Sequence, residues 1–288
     1  MKIYINGELI DEQAATVSVF DSGFVLGDGV WEGIRVVRGR PAFLDPHLDR
    51  LFEAAKAIML DIGMDRAALT AAIDQTIAAN SLVDDAHLRL MVTRGVRRQP
   101  YQDPRLATGA ATVVIVPATS PHDPAAAERG LDLFTVHVRR GAPDVQDAKI
   151  NSHSKFNCIA ACIQANQAGA DEALMLDPHG FVATCNSTHF FIVRKGQVWT
   201  SSGRYCLGGI TRANVINLCR ANGLECCEKD FSLTDVYGAA EAFVTGTLGG
   251  LTPVRRIDGR LITSAPPGPV TQRLQALYRD LLHQSVAE

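Results

Sequence analysis

The chain opens with short alternating runs. "KIYI" and "ELI" flank Asn6-Gly7, and a two-residue Asn-Gly link between such runs predicts a β-hairpin. A glycine-rich stretch, "FDSGFVLGDGVWEGIRVVRGRPAF", reads as a strand region. The period then lengthens. Leu48, Leu51, Ala54, Ala55 and Ile58 form one helical stripe, which predicts an amphipathic helix from about Pro46 to Leu60. A second helix is expected over roughly Arg66 to Asn80, followed by the strands "HLRLMVTRG" and "ATVVIVPA".

"TSPHDPAAAERG" breaks this pattern with proline, alanine and polar residues and is the best linker candidate. It divides the chain into an N-terminal α/β domain (1–119), a linker (120–126) and a C-terminal domain (127–288). Beyond it, "LDLFTVHVRR" reads as a strand, "KFNCIAACIQANQA" as a helix, and "DEALMLD", "FVAT" and "HFFIVRKGQVWT" as strands. "TRANVINLCRANG" is a helix closed by Gly223, a residue type suited to the left-handed position after a helix end. "EAFVTGT" and "LTPVRRIDGRLI" are strands, and a last helix ends the chain. Strands and helices mix without the regular alternation of a doubly wound sheet, so the fold class is α+β in two domains.

Composition changes this picture little. Hydrophobic residues are 47% and charged residues 20% of 288, with a formal net charge of −3. That is ordinary for a globular protein and calls for no nucleic-acid partner. The pairs Arg97-Arg98, Arg139-Arg140 and Arg255-Arg256 are short and separate, fitting solvated surface or one small anion. No apolar run reaches membrane-span length and the first residues hold no signal-peptide core, so a cytoplasmic protein with no membrane partner is expected. Seven cysteines fit that compartment. Cys158 and Cys162 lie four apart, and Cys226 and Cys227 are adjacent. No CxxC pair is present to suggest zinc, and buried thiols are the preferred reading.

Three glycine-bearing turns, "LGDG", "LGGITR" and "TGTLGG", lie at strand or helix ends. None is a GxGxxG dinucleotide turn or a P-loop. "LGGITR" precedes a helix, so the N–H groups of Ile210 and Thr211 and the helix dipole suit an anion. "TGTLGG" adds the Thr247 hydroxyl. Either turn alone reads as a simple cap or bend. The two together, with an arginine from elsewhere, would make a phosphate cup.

In their order along the chain, "GDGVWEGIRV", "HLDRL", "TRG", "ANQAGADEALMLD", "GGITR" and "TGTLGGLTPV" resemble the class IV, fold-type IV pyridoxal-phosphate (PLP) aminotransferases. That family includes branched-chain and D-amino-acid aminotransferases and aminodeoxychorismate lyase. The resemblance implies a smaller N-terminal and a larger C-terminal domain with the cofactor in the cleft between them, and a homodimer. Arg50 matches the family's phosphate-binding arginine. Ile210 and Thr211 match backbone phosphate donors, and Thr247 and Leu248 match a second set.

Two positions depart from the family pattern. Counted back from "ANQAGADEA", the family's Schiff-base lysine falls on Asn151, and an amide cannot form that bond. Lys155 falls where the family usually has a tyrosine, near the cofactor's aldehyde. Four residues at a helix start rise roughly 6 Å, much of which a lysine stem covers. Lys155 is therefore the expected catalytic lysine. Lys149, two residues before Asn151, is the competing choice; in a bland reading Lys155 is a solvated first-turn lysine. In "FVATCNSTHFFIV" the family's glutamate beside the pyridine nitrogen is replaced by Thr184, whose hydroxyl supplies a hydrogen bond but no charge.

For the substrate carboxylate, Arg35, Arg94, Arg97 and Arg98 are candidates, and Arg97 or Arg98 matches an arginine of the D-amino-acid branch. Trp31 stands where the family has an aromatic pocket wall. His153 is a candidate acid–base helper. The expected reaction moves an amino group between an amino acid or primary amine and a 2-oxo acid. The rivals are a PLP-dependent lyase and a descendant that binds only cofactor or anion.

Overall fold

The computed structural model describes residues 1–119 and 129–287. The expected linker 120–126 lies outside them. The described chain forms two compact units. One comprises residues 1–119, 150–154 and 282–287; the other comprises 129–149 and 155–281. Nothing in the sequence marks the two short returns to the first unit, because they depend on long-range pairing.

The first unit is built on a six-stranded antiparallel sheet in the order β2-β1-β6-β5-β3-β4. Its strands are β1 (Lys2–Ile5), β2 (Glu8–Asp11), β3 (Gly29–Val37), β4 (Arg40–Pro41), β5 (Ala86–Thr93) and β6 (Thr112–Thr119). The β1–β2 hairpin turns at Asn6 (φ 49°) and Gly7 (φ 101°), the positive angles that favour Asn-Gly. The glycine-rich stretch is not all strand. Asp21 caps a short helix, α1 (Ser22–Leu26), by accepting from the Gly23 N–H, and β3 begins only at Gly29.

Helices α2 (Leu44–Ala57) and α3 (Arg66–Ala79) supply the rest of the core. The α2 stripe Leu48, Leu51, Ala54 and Ala55 is buried, with Leu69, Ile73 and Ile77 of α3, against Val30, Ile34, Val36, Leu88 and Leu90. The helix starts two residues earlier than expected and stops at Ala57, ahead of the predicted Leu60. Leu282 and Val286 pack on Val37 and Ala42.

The second unit holds a mixed sheet in the order β12-β11-β10-β13-β14-β7-β8-β9, with β15 on β14. The strands are β7 (Leu131–Thr135), β8 (Glu172–Leu176), β9 (Val182–Cys185), β10 (His189–Arg194), β11 (Gln197–Thr200), β12 (Cys226–Glu228), β13 (Glu241–Gly246), β14 (Gly250–Ile257) and β15 (Arg260–Leu261). The sheet curls: the Cys185 N–H at the β9 edge bonds the Thr188 carbonyl just before β10. The predicted strand "LDLFTVHVRR" ends at Thr135; past it only single bonds continue, from Val136 to Leu174 and from Arg140 to Leu176.

Among the described residues five helices accompany this sheet: α4 (Pro143–Gln146), α5 (Phe156–Gln167), α6 (Ile210–Ala221), α7 (Leu233–Tyr237) and α8 (Pro269–Gln284). Asn222 caps α6 and Gly223 follows at φ 68°, as its residue type predicts. The buried Glu241 carboxylate accepts from the Val270 and Thr271 N–H groups at the start of α8. Among the described residues no helix is long and apolar enough to cross a membrane.

Candidate active site

In the first unit, β3 turns Val30, Glu32, Ile34 and Val36 toward the helices, and Glu32 is the one charged residue in that row. Its carboxylate is fully buried. Arg50 on α2 grips it with two bonds, Nε to Oε1 at 2.8 Å and Nη2 to Oε2 at 2.6 Å. His47, one helical turn earlier, places Nδ1 2.7 Å from Oε2. Burial alone would push the Glu32 carboxyl up, but the Arg50 and His47 bonds outweigh it and hold it below the usual range. Arg50, expected from "HLDRL", is thus fixed through a partner the sequence reading missed. The signal was present: a glutamate in the inward period-two register of "GVWEGIRV".

The stretch "KINSHSKFN" divides between the units. Residues 150–154 lie along β3, with Val30 bridged to Ser152. The Trp31 N–H donates to the Asn151 carbonyl at 2.9 Å, and Asn151 Nδ2 donates to the Trp31 carbonyl at 2.7 Å. Asn151 is buried, so its amide serves as a bracket between two backbone segments. The His153 N–H bonds Gly29, and its Nε2 lies 3.0 Å from the Val30 carbonyl. Gly29 leaves space for that ring, since a Cβ there would stand 3.0 Å from His153 Cδ2. The Trp31 indole N–H donates to Ser152, and Arg89 stacks over its ring.

This arrangement corrects the helix-rise argument for Lys155. Residues 151–154 are not the first turn of a helix; α5 begins at Phe156 with Lys155 as its cap residue. Lys155 is half-buried. Lys149 is exposed and its Nζ donates to the Gly203 carbonyl at 2.7 Å.

In the second unit the two turns expected to bind an anion both approach Tyr278. Gly209 caps α6 in extended geometry with no side-chain cap, and Ile210 and Thr211 form the first turn. By helix geometry their N–H groups have no partner within the helix. Tyr278 on α8 is buried between the turns: its hydroxyl is 3.5 Å from the Thr211 hydroxyl, and its ring would stand 3.3 Å from a Cβ at Gly250. Gly250 (φ 60°) closes the turn carrying Thr247 and Leu248, both half-buried. His189 opens β10 opposite Thr245, and a Cβ at Gly209 would overlap its ring. Gly209 is therefore required by close packing. The Thr245 hydroxyl is buried with no hydrogen-bond partner among the described residues. Two backbone turns, a helix N-terminus and this orphaned hydroxyl suit an anionic, phosphorylated ligand. His189, Tyr278 and Thr245 were missed from sequence, where nothing sets them apart from core residues.

Thr184 on β9 is buried and donates its hydroxyl hydrogen to the Thr188 carbonyl at 2.8 Å. Its remaining capacity is that of an acceptor. The turn after it is anchored by Glu172, whose buried carboxylate accepts from the N–H and hydroxyl groups of both Ser187 and Thr188. Burial raises the Glu172 pKa, and these neutral donors only partly oppose it.

The arginine candidates separate clearly. Arg97 is buried, and its guanidinium bonds the carbonyls of Tyr101 and Asp103 and the Ser22 hydroxyl, with Asp28 at 3.6 Å. It organises its own loop. Arg94 is clamped on Asp28 and on the Ile58 and Met59 carbonyls. Arg98 is exposed, and Arg35 is half-buried on β3. The cysteine expectation also needs correction: Cys185, Cys206 and Cys219 are buried, whereas Cys158, Cys162, Cys226 and Cys227 are half-exposed.

The chain and its two sheets have counterparts in known proteins. Residues 29–257 match the family model "Amino-transferase class IV". A putative branched-chain-amino-acid aminotransferase of Methanocaldococcus jannaschii is 40% identical over 98% of this chain and 96% of its own length. The branched-chain-amino-acid aminotransferase-like protein 1 of Arabidopsis thaliana is 38% identical over 98% of this chain, which spans about half (51%) of that longer protein. The crystal structure of the T.th. branched-chain amino acid aminotransferase with pyridoxamine 5'-phosphate superposes with a TM-score of 0.92 at 29% identity, covering 98% of this chain and 94% of that one. The chain belongs to the class IV aminotransferase family and has the fold of the fold-type IV PLP enzymes.

Proposed function

We propose that this protein is a PLP-dependent aminotransferase, moving an amino group between an amino acid or primary amine and a 2-oxo acid. The observation that carries the reading is the convergence, inside one unit, of the α6 N-terminus and the Thr247-Leu248 turn around Tyr278 and the orphaned Thr245 hydroxyl. The Ile210, Thr211, Thr247 and Leu248 backbone would hold the cofactor phosphate, and Arg50, oriented by Glu32 in its own unit, carries the phosphate-binding role that the family resemblance gives it. When bound, PLP supplies an electron-withdrawing ring that makes a substrate α-hydrogen acidic. Thr184, its hydrogen given to Thr188, would accept from a ring N–H. Lys155 would hold the cofactor carbonyl carbon and, as a neutral amine, carry the α-proton. Asn151 and His153 fix the backbone beside Trp31, the proposed pocket wall, and Arg98, exposed where Arg97 is buried in its own loop, would meet a substrate carboxylate.

An apolar face on α5 (Phe156, Ile159 and Ile163 exposed) supports a homodimer. Seven unbonded cysteines support a cytoplasmic setting.

Borohydride treatment with added PLP, followed by peptide mapping, tests the assignment. The expected result is the cofactor mass on Lys155, with Lys155→Ala lowering turnover by roughly 100-fold or more. Label on Lys149 moves the role there. No label and no visible absorption band overturns the cofactor reading, leaving an anion-binding protein. Pyruvate release without an amino acceptor would identify a lyase.

A further inference from the structure

Helix α6 ends at Ala221, the chain reverses through Gly223, and β12 returns along the helix. The Leu224 N–H closes the reversal on the Cys219 carbonyl at 2.9 Å. Arg212 and Arg220 of the helix both reach Glu228 of the strand, at 3.0 and 3.2 Å. Arg212 and Cys219 are seven residues apart and share a helix face. Cys226 and Glu228 are two apart and share a strand face. The arginine–glutamate clasp and the closed reversal therefore set a register in which Cys226 of the strand lies beside Cys219 of the helix.

We propose that Cys219 and Cys226 are a redox-active thiol pair, a modification site that takes a low-molecular-weight disulfide of the glutathione type and closes into an intramolecular disulfide. The roles are unequal. Cys219 is fully buried, and Cys226 is half-exposed. The Cys219 thiol, donating to Cys226, holds the Cys226 thiol below its usual range, with Arg220 and Arg212 assisting against burial and Glu228. Cys219 itself is raised, so it stays protonated until its neighbour has reacted. The adjacent Cys227 is a poor rival: burial and the Glu225 carboxylate, 3.9 Å from its sulfur, raise it.

In the first step the Cys226 thiolate attacks one sulfur of the small disulfide, and one glutathione thiolate leaves. The Cys219 thiol then attacks Cys226 Sγ, its proton passing to the departing sulfur, and the second glutathione leaves as a thiol. Two protein thiols are oxidised and one small disulfide is reduced to two thiols. The site is independent of the proposed reaction.

The test incubates the intact protein with oxidised glutathione and maps peptides without reduction. The expected product is a Cys219–Cys226 cross-link, with loss of two hydrogens and full reversal by dithiothreitol. Cys219→Ala should stop at a glutathione adduct on Cys226, and Cys226→Ser should leave Cys219 unmodified. A Cys226–Cys227 or Cys158–Cys162 bond with Cys219 free overturns the proposal, as does no reaction at Cys226 in the wild-type chain. The wild-type map stands even if the buried Cys219→Ala variant folds poorly.

Discussion

Glu32 in the first unit and Glu172 in the second are both buried carboxylates, and the two behave oppositely. Glu32 is gripped by a guanidinium and an imidazole and is held below the usual range. Glu172 meets only N–H and hydroxyl groups and is raised. Both are almost completely removed from water. Burial penalises the charged form of each; the hydrogen bonds and charges of Arg50 and His47 outweigh that penalty at Glu32, while the neutral donors around Glu172 only partly offset it. The first carboxylate is therefore a fixed charge that orients Arg50. The second is a hub for neutral donors and shapes the 184–188 turn.

The contrast breaks most sharply at Glu32. Glu32→Gln removes the counter-charge from Arg50 while leaving the cluster buried, and should cost about 3–5 kcal/mol. The measurement is the shift in urea midpoint. A cost below about 1 kcal/mol would mean Arg50 is anchored by something else.

Glu172→Gln should cost much less, about 1 kcal/mol, because the Thr188 hydroxyl can turn from donor to acceptor and meet the new amide. Its clearer signature is in pH. A raised folded pKa means the native state binds more protons than the unfolded state above the ordinary value of 4.5. Glu172 thus contributes stability below that value, and the contribution is lost as pH rises through the raised pKa. Glu32 contributes stability above 4.5 that is lost as pH falls through its lowered pKa. In Glu172→Gln the falling component, at most about 1.4 kcal/mol per pH unit, should vanish while the acid-side loss remains. An unchanged profile would place Glu172 outside the titration.

How much of this was legible depended on the range of the interactions. Asn6-Gly7, the α2 stripe and Gly223 are local signals, and they appear where the sequence puts them. "LGGITR" and "TGTLGG" were legible as turns; that Tyr278 joins them was not, because it comes from 67 residues beyond Thr211. Asn151 was recognised as a departure from the family pattern. Its bracket on Trp31, 120 residues away, was hidden, and so was the extended path that removes the one-turn argument for Lys155. The cysteine pattern showed neighbours in sequence, Cys226 and Cys227, whereas the proposed pair, Cys219 and Cys226, depends on the return of β12 along α6.

The smallest expected effect is at Thr184. Its hydroxyl bonds the Thr188 carbonyl, but that carbonyl also accepts from the Cys185 N–H, so Thr184→Val leaves no backbone group orphaned. The loss should be about 0.5 kcal/mol, the lower end for a buried hydrogen bond. A cofactor that relies on this hydroxyl would report the change differently, through the pH dependence of its absorption band. A stability cost near that of Glu32→Gln would instead make Thr184 a structural junction of the turn. A small cost with a displaced spectral titration would separate its part in the fold from its part at the ring nitrogen.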